Sequence, residues 1–203
     1  MIFGDLRSLP YRIVAILVAV TVHEFAHAWS ADRLGDPTPR VRGRLSLNPI
    51  VHLDPIGTLL LLVAGFGWAK PVEVNPRYFS NWRRGMLAVA AAGPIANIVV
   101  MLIVGFIVQL GVVSAGTPLV PLIRSLLVIN AVLAVFNLLP IHPLDGSKIV
   151  SSLLPPQQAI AYDRLAAYGP LVLLVLILLP GNAFGHIVGP AVEWLIGLAV
   201  GAR

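Results

Sequence analysis

The sequence predicts an all-α polytopic membrane protein, and three observations carry that prediction. Of its 203 residues, 58% are hydrophobic and 11% charged, against roughly 25% charged in soluble domains. The mean hydropathy is +0.89. The charges that do occur gather between apolar runs rather than within them, the pattern of loops that meet water and helices that meet lipid. Together these imply one integral-membrane domain over 1–203, with about five transmembrane helices (roughly four to six). A small membrane-associated β or re-entrant region is expected at about 45–80.

Apolar runs able to span cover 11–29, 86–110, 119–139, 165–179 and 183–201. Between Arg84 and Arg124 no charge occurs, so that stretch reads as a helical hairpin turning near 111–118. Segment 55–69 is apolar but short and rich in glycine. Arg33, Arg40, Arg42 and Arg44 precede it; Lys70, Arg77, Arg83 and Arg84 follow it. A crossing would put one basic cluster on the wrong side, so the segment is predicted to dip in and return to the same face. The run Lys70-Pro71-Val72-Glu73-Val74-Asn75-Pro76 alternates between prolines, as a short edge strand would, and a surface loop is the equal alternative for so short a run. The core is placed at about 11–150 and the C-terminal helices at about 165–201.

The basic cluster over 30–84 orients the chain in the cell membrane, with that segment and the His23–His27 end of the first span toward the cytoplasm. Counting crossings, 119–139 descends to the same side and brings 137–148 to the same depth, and Lys148, Arg164 and Arg203 are expected to face inward. The net charge of +5 lies in loops with no aromatic-interleaved basic groove, so no nucleic acid is expected. With no cysteine, disulfides and thiolate metal sites are excluded. Arg7, Arg12 and Ala26-His27-Ala28 mimic a signal peptide. The ionisable groups of 23–27 do not suit one, and the segment is expected to stay with the protein.

His23-Glu24-Phe25-Ala26-His27 is the stretch that carries chemistry. On a helix His23 and His27 share a face and reach one metal ion. Glu24 lies roughly 100° round from His23, placed to take a proton from water. Ionisable groups inside an apolar span are costly and mark function. A catalytic zinc needs a third protein ligand and an open position. Asp145 is favoured: Pro140 and Pro143 break the helix before it, Gly146 lets the backbone turn, and one carboxylate lowers the charge to be buried. His142, His52, His186 and Glu193 are its rivals. Glu193, inside the last apolar run, reads better as a helix-packing contact and leaves room for a homo-oligomer. His52 reads equally as a group near the oxyanion or as a turn histidine held by Asp54.

With His23-Glu24-Phe25-Ala26-His27 stand Leu47-Asn48-Pro49, Asp54-Pro55-Ile56-Gly57, Gly67-Trp68-Ala69-Lys70-Pro71-Val72, Gly93-Pro94-Ile95-Ala96-Asn97 and the run from Asn137 to Gly146. In these motifs and their order, the chain resembles the site-2 protease family of intramembrane zinc metalloproteases, in the compact prokaryotic form without a PDZ insertion. The resemblance covers about 20–150. It implies one Zn2+ per chain held by His23, His27 and Asp145, with Glu24 as general base. It further implies Asn137 as a contact to an extended substrate and Asn97 as a polar support. His142 departs from the small residue or proline usual there and leaves a second metal-binding option open.

The expected activity is hydrolysis of a peptide bond in a membrane-spanning protein substrate, either a single-pass protein or a signal-peptide remnant, at an active site near the cytoplasmic face. His52 or Asn137 would steady the oxyanion, and an edge strand at 70–75 would receive the unwound substrate. Two alternatives remain open: a membrane metal-binding or transport protein, and a catalytically silent relative that binds helices without cutting them.

Overall fold

A computed structural model describes residues 6–64, 67–114, 116–178 and 183–201. It is helical throughout its regular structure. The first helix, α1 (Leu9–Arg33), has Pro10 in its opening turn and ends at a turn through Gly35, whose φ is 102°. Ala15 and Ala19, and further along Ala28 and Ala31 on another side of the helix, have no exposed surface. Such small side chains let neighbouring helices approach closely in a bilayer, where lipid supplies no hydrophobic drive between them. A short helix α2 (Thr38–Val41) and a 3-10 turn (Pro49–His52) lead into α3 (Pro55–Ala64). Asp54 starts α3, its Oδ1 accepting from the backbone N–H of Ile56 and Gly57 at 3.0 and 2.8 Å, as N-cap carboxylates do.

The segment around α3 leaves and returns at one place. Leu53 and Ala69 form an antiparallel bridge, and the Lys70 N–H donates to the His52 carbonyl at 2.9 Å. A Cβ on Gly57 would lie 2.1 Å from the Trp68 carbonyl oxygen, so only glycine permits this approach. The dip-and-return reading of 55–69 thus agrees with the chain path. Of the two readings of 70–76 the loop is the one found: among the described residues there is no strand, and the one bridge, Leu53 with Ala69, closes the neck of the hairpin formed by 53–69. Pro71 and Pro76 offer no N–H, and the Asn75 N–H goes to the Asp36 carboxylate at 2.7 Å. Val74 packs beside Ala31, Phe79 and Val89, which lays this segment against the ends of α1 and the next helix.

That helix, α4 (Trp82–Gln109), is capped by Asn81 and contains Pro94. α5 (Val120–Asn137) follows, then α6 (Asp145–Leu153), α7 (Pro156–Asp163), a 3-10 turn (Arg164–Tyr168), α8 (Gly169–Leu178) and α9 (Ala183–Val200). Leu9–Arg33, Trp82–Gln109, Val120–Asn137 and Pro156–Leu178 are long and apolar enough to cross a membrane, and Phe184–Val200 is a shorter apolar helix. The chain is a multi-pass membrane protein. Its main core lies between α4, α5 and α9, with Met101, Val104, Leu127, Ala131, Val188, Val192 and Ala199 buried together.

The direction of α9 differs from the crossing count. Phe184 at its start stacks edge-on with Phe136 at the end of α5, centroids 5.7 Å apart. Near its other end the Ala199 carbonyl accepts from Gln109 Nε2 at 2.7 Å, and a Cβ on Gly105 would lie 2.4 Å from the same oxygen. α9 therefore runs parallel to α4 and ends away from the basic segment 30–84. The expectation that the chain's last run returns to that segment's side is corrected. Hydropathy measured the length of the 165–179 region but not whether its two ends lie on opposite faces.

Candidate metal centre

The 3.6-residue period of α1 puts the buried His23 and His27 on one face, and the start of α6 brings the buried Asp145 to them. The distance from Asp145 Oδ2 is 3.1 Å to His23 Nε2 and 3.0 Å to His27 Nε2, and the two Nε2 atoms are 3.1 Å apart. Among the described residues these three are the group of His, Cys, Asp or Glu placed to hold a metal ion.

The outer hydrogen bonds decide where the ring protons sit. His27 Nδ1 lies 2.7 Å from the Val89 carbonyl, which can only accept. His23 Nδ1 lies 2.7 Å from Asn97 Oδ1. Asn97 donates its amide hydrogens to the Ala19 carbonyl at 3.0 Å and to Asn130 Oδ1 at 2.9 Å. Its oxygen is therefore the atom facing His23 and accepts the Nδ1 proton. In the neutral rings both Nε2 lone pairs then point at the Asp145 oxygen, so three acceptors converge with no proton between them. Such a cluster is unfavourable in a buried site unless a cation joins it. Tetrahedral zinc with bonds of about 2.0–2.1 Å to nitrogen and oxygen separates its ligands by about 3.3 Å, close to the spacing here. Two histidines and a carboxylate with one position left open is also a catalytic donor set.

Two glycines make the approach possible. A Cβ on Gly93 would lie 2.5 Å from His27 Nε2 and 2.7 Å from His23 Nε2, and one on Gly146 would lie 2.3 Å from the Leu138 carbonyl oxygen. The second contact seats the turn that presents Asp145, whose Oδ1 meets Lys148 Nζ at 3.5 Å.

Glu24 follows His23 directly and is largely shielded. Its Oε2 lies 3.9 Å from Arg44 Nη2, with the two side chains 12% and 5% exposed. Arg44 also donates to the carbonyls of Val51 and Lys70, one on each limb of the hairpin neck, so it joins that neck to the Glu24 carboxylate. From the sequence Arg44 registers only as one of the charges that set topology.

The remaining candidates stand apart from the trio. His52 is fully buried, and its Nε2–H donates to the Ser46 carbonyl at 2.7 Å. Burial holds its pKa below the ordinary value, and its Nδ1 has no partner. Its bond to Ser46 takes the place of the expected one to Asp54, whose Oδ1 instead caps α3. Asn137 donates within its own helix to the Leu133 carbonyl at 3.0 Å. His142 sits 3.5 Å from Asp163 and against the Tyr162 ring. His186 and Glu193 are exposed on α9. Among the described residues none of these rivals joins His23 and His27. The sequence motifs do not mark Asn130 or Gly93 as site residues, although an amide inside the apolar run 126–136 is itself a signal.

Known proteins with related sequences agree with this chemistry. The family model described as Peptidase family M50 matches residues 107–180, a segment that holds Asp145. The chain is 40% identical over 190 residues to YwhC of Bacillus subtilis, named as a zinc metalloprotease, covering 90% of this chain and 87% of that one. The chain belongs to Peptidase family M50. It is also 31% identical over 196 residues to Rip2 of Mycobacterium tuberculosis, named likewise, with 92% of this chain and 73% of that one covered. The Regulator of sigma-E protease RseP of Escherichia coli is 32% identical over 108 residues, 46% of this chain and 24% of that one. No solved structure matches. As an M50 member the chain is a zinc metalloendopeptidase of the membrane.

Proposed function

We propose that the chain hydrolyses a peptide bond within a membrane-spanning segment of another protein, with His23, His27 and Asp145 holding one zinc ion and Glu24 acting as general base. The observation that carries this reading is the convergence of three buried acceptor atoms 3.0–3.1 Å apart, with a shielded carboxylate next in sequence. When bound, zinc supplies Lewis acidity that polarises the scissile carbonyl and acidifies water. Glu24 takes the proton from the attacking water and delivers it to the leaving amine nitrogen. Arg44 keeps the Glu24 side chain from turning away. Asn97 and the Val89 carbonyl hold the two imidazoles as Nδ1–H tautomers, so that both Nε2 atoms face the metal.

A substrate helix hides its peptide bonds in its own hydrogen bonds and must unwind to be cut. Segment 71–75, unpaired in any sheet and close to the ends of α1 and α4, is suited to receive it as an added strand. Asn137 is a further proposed contact to the extended substrate, whereas the fully buried His52 has no surface to offer one. The site faces the cytoplasm on the strength of the eight Lys and Arg between residues 30 and 84.

Stripping the detergent-purified protein with a chelator is expected to abolish cleavage of a single-span reporter, and stoichiometric zinc to restore it. A reporter that binds with or without metal and is never cut would favour the silent helix-binding reading.

A further inference from the structure

Asn130 lies in the middle of α5 with no exposed surface. It is the sole amide or charged side chain between Arg124 and Asn137, and an amide placed in lipid-depth packing needs partners to offset its desolvation. It has two. Its Nδ2 donates to the Leu126 carbonyl at 2.9 Å, which turns its Oδ1 toward α4. There that oxygen accepts from Asn97 Nδ2 at 2.9 Å, while the other Asn97 amide hydrogen goes to the Ala19 carbonyl at 3.0 Å.

We propose that Asn130 is a positioning residue for the zinc site, fixing through Asn97 which nitrogen of His23 carries the proton. An asparagine side chain offers an oxygen at one corner and an NH2 at the other, and it can present either to a neighbour by turning about its last bond. With both amide hydrogens engaged by fixed acceptors, Asn97 has one orientation, its oxygen toward His23 Nδ1. Without the Asn130 oxygen the two orientations approach each other in energy. In the turned one, NH2 would face Nδ1 and impose the Nε2–H form, whose ligating nitrogen is blocked by its own proton. A side chain that never approaches the metal thereby acts on the metal through two hydrogen bonds that cross from α5 to α4 to α1. The inference rests on His23 being a zinc ligand.

The test uses the full chain in detergent and zinc alone as the probe, with affinity measured by competition against a chromophoric chelator. Asn130→Leu keeps the branched heavy-atom skeleton, with bulkier ends, and removes the acceptor, and it is expected to weaken zinc binding by about 10–100-fold, the range for lost outer hydrogen bonds at metal sites. Asn130→Asp keeps an oxygen toward Asn97 and is expected to stay within about threefold of the wild type, which a general packing role would not predict. The second readout needs no variant: 15N-histidine NMR of the metal-free wild type is expected to show His23 protonated at Nδ1. Wild-type affinity in Asn130→Leu, or an Nε2–H His23 in the wild type, would overturn the proposal. His23→Ala serves as the reference. Unchanged zinc binding in that variant would sink the site assignment as well, whereas its loss beside an unaffected Asn130→Leu sinks the relay alone.

Discussion

Glu24→Gln is expected to retain zinc at wild-type stoichiometry and to lose about 10²–10⁴-fold in cleavage rate, the range for removal of a general acid–base group. Glutamine has the same shape as glutamate and fits beside Arg44, so the fold and the zinc ligands have no cause to move. What glutamine lacks is the ability to accept a proton from water and pass it on, the role proposed for Glu24. The comparison is made on one preparation, with initial rates on a single-span reporter and zinc by elemental analysis. Cleavage within about threefold of the wild type would remove Glu24 from the reaction. Loss of zinc together with activity would instead make Glu24 part of the metal's support.

Gly93→Ala is expected to weaken zinc binding by more than about 100-fold, beyond what a single lost outer hydrogen bond does. The added methyl carbon would stand 2.5 Å from His27 Nε2 and 2.7 Å from His23 Cε1 and Nε2, well inside van der Waals contact. α4 has little freedom to withdraw, because Asn97 one turn further on is bonded to both α1 and α5. The rings must therefore move, and they carry the proposed ligating atoms. Gly105→Ala provides the control: it meets the Ala199 backbone far from the site and should lower thermal stability in detergent while leaving zinc affinity unchanged.

How much of this was legible in the sequence follows from the range over which each feature acts. His23 and His27 could be paired from their spacing alone, since one helical turn fixes their common face. Asp145 could be found because carboxylates are few and its neighbours Pro143 and Gly146 announce a turn. Gly93 stood inside a recognisable motif, but its reason, the closeness of two imidazoles from another helix, is tertiary. Arg44 looked like a topology-setting charge because nothing local shows that Val51 and Lys70 fold onto it. The alternation at 70–76 expresses a capacity to pair, and the described chain supplies no second strand to pair with. The direction of α9 escaped because it hangs on whether α7 and α8 cross the bilayer or turn back, which hydropathy does not distinguish. Composition settled the membrane class outright, since 11% charged residues cannot cover a soluble surface of this size.

The central claim is a single zinc held by His23, His27 and Asp145, and metal content tests it most directly. Zinc per chain would be measured for the wild type beside Asp145→Ala and Glu193→Ala, purified identically and offered zinc. Near one zinc in the wild type and in Glu193→Ala, with little in Asp145→Ala, is the expected result. Full zinc in Asp145→Ala, or loss in Glu193→Ala, would contradict the assignment of the third ligand. A wild type that takes up no zinc would contradict the site as a whole.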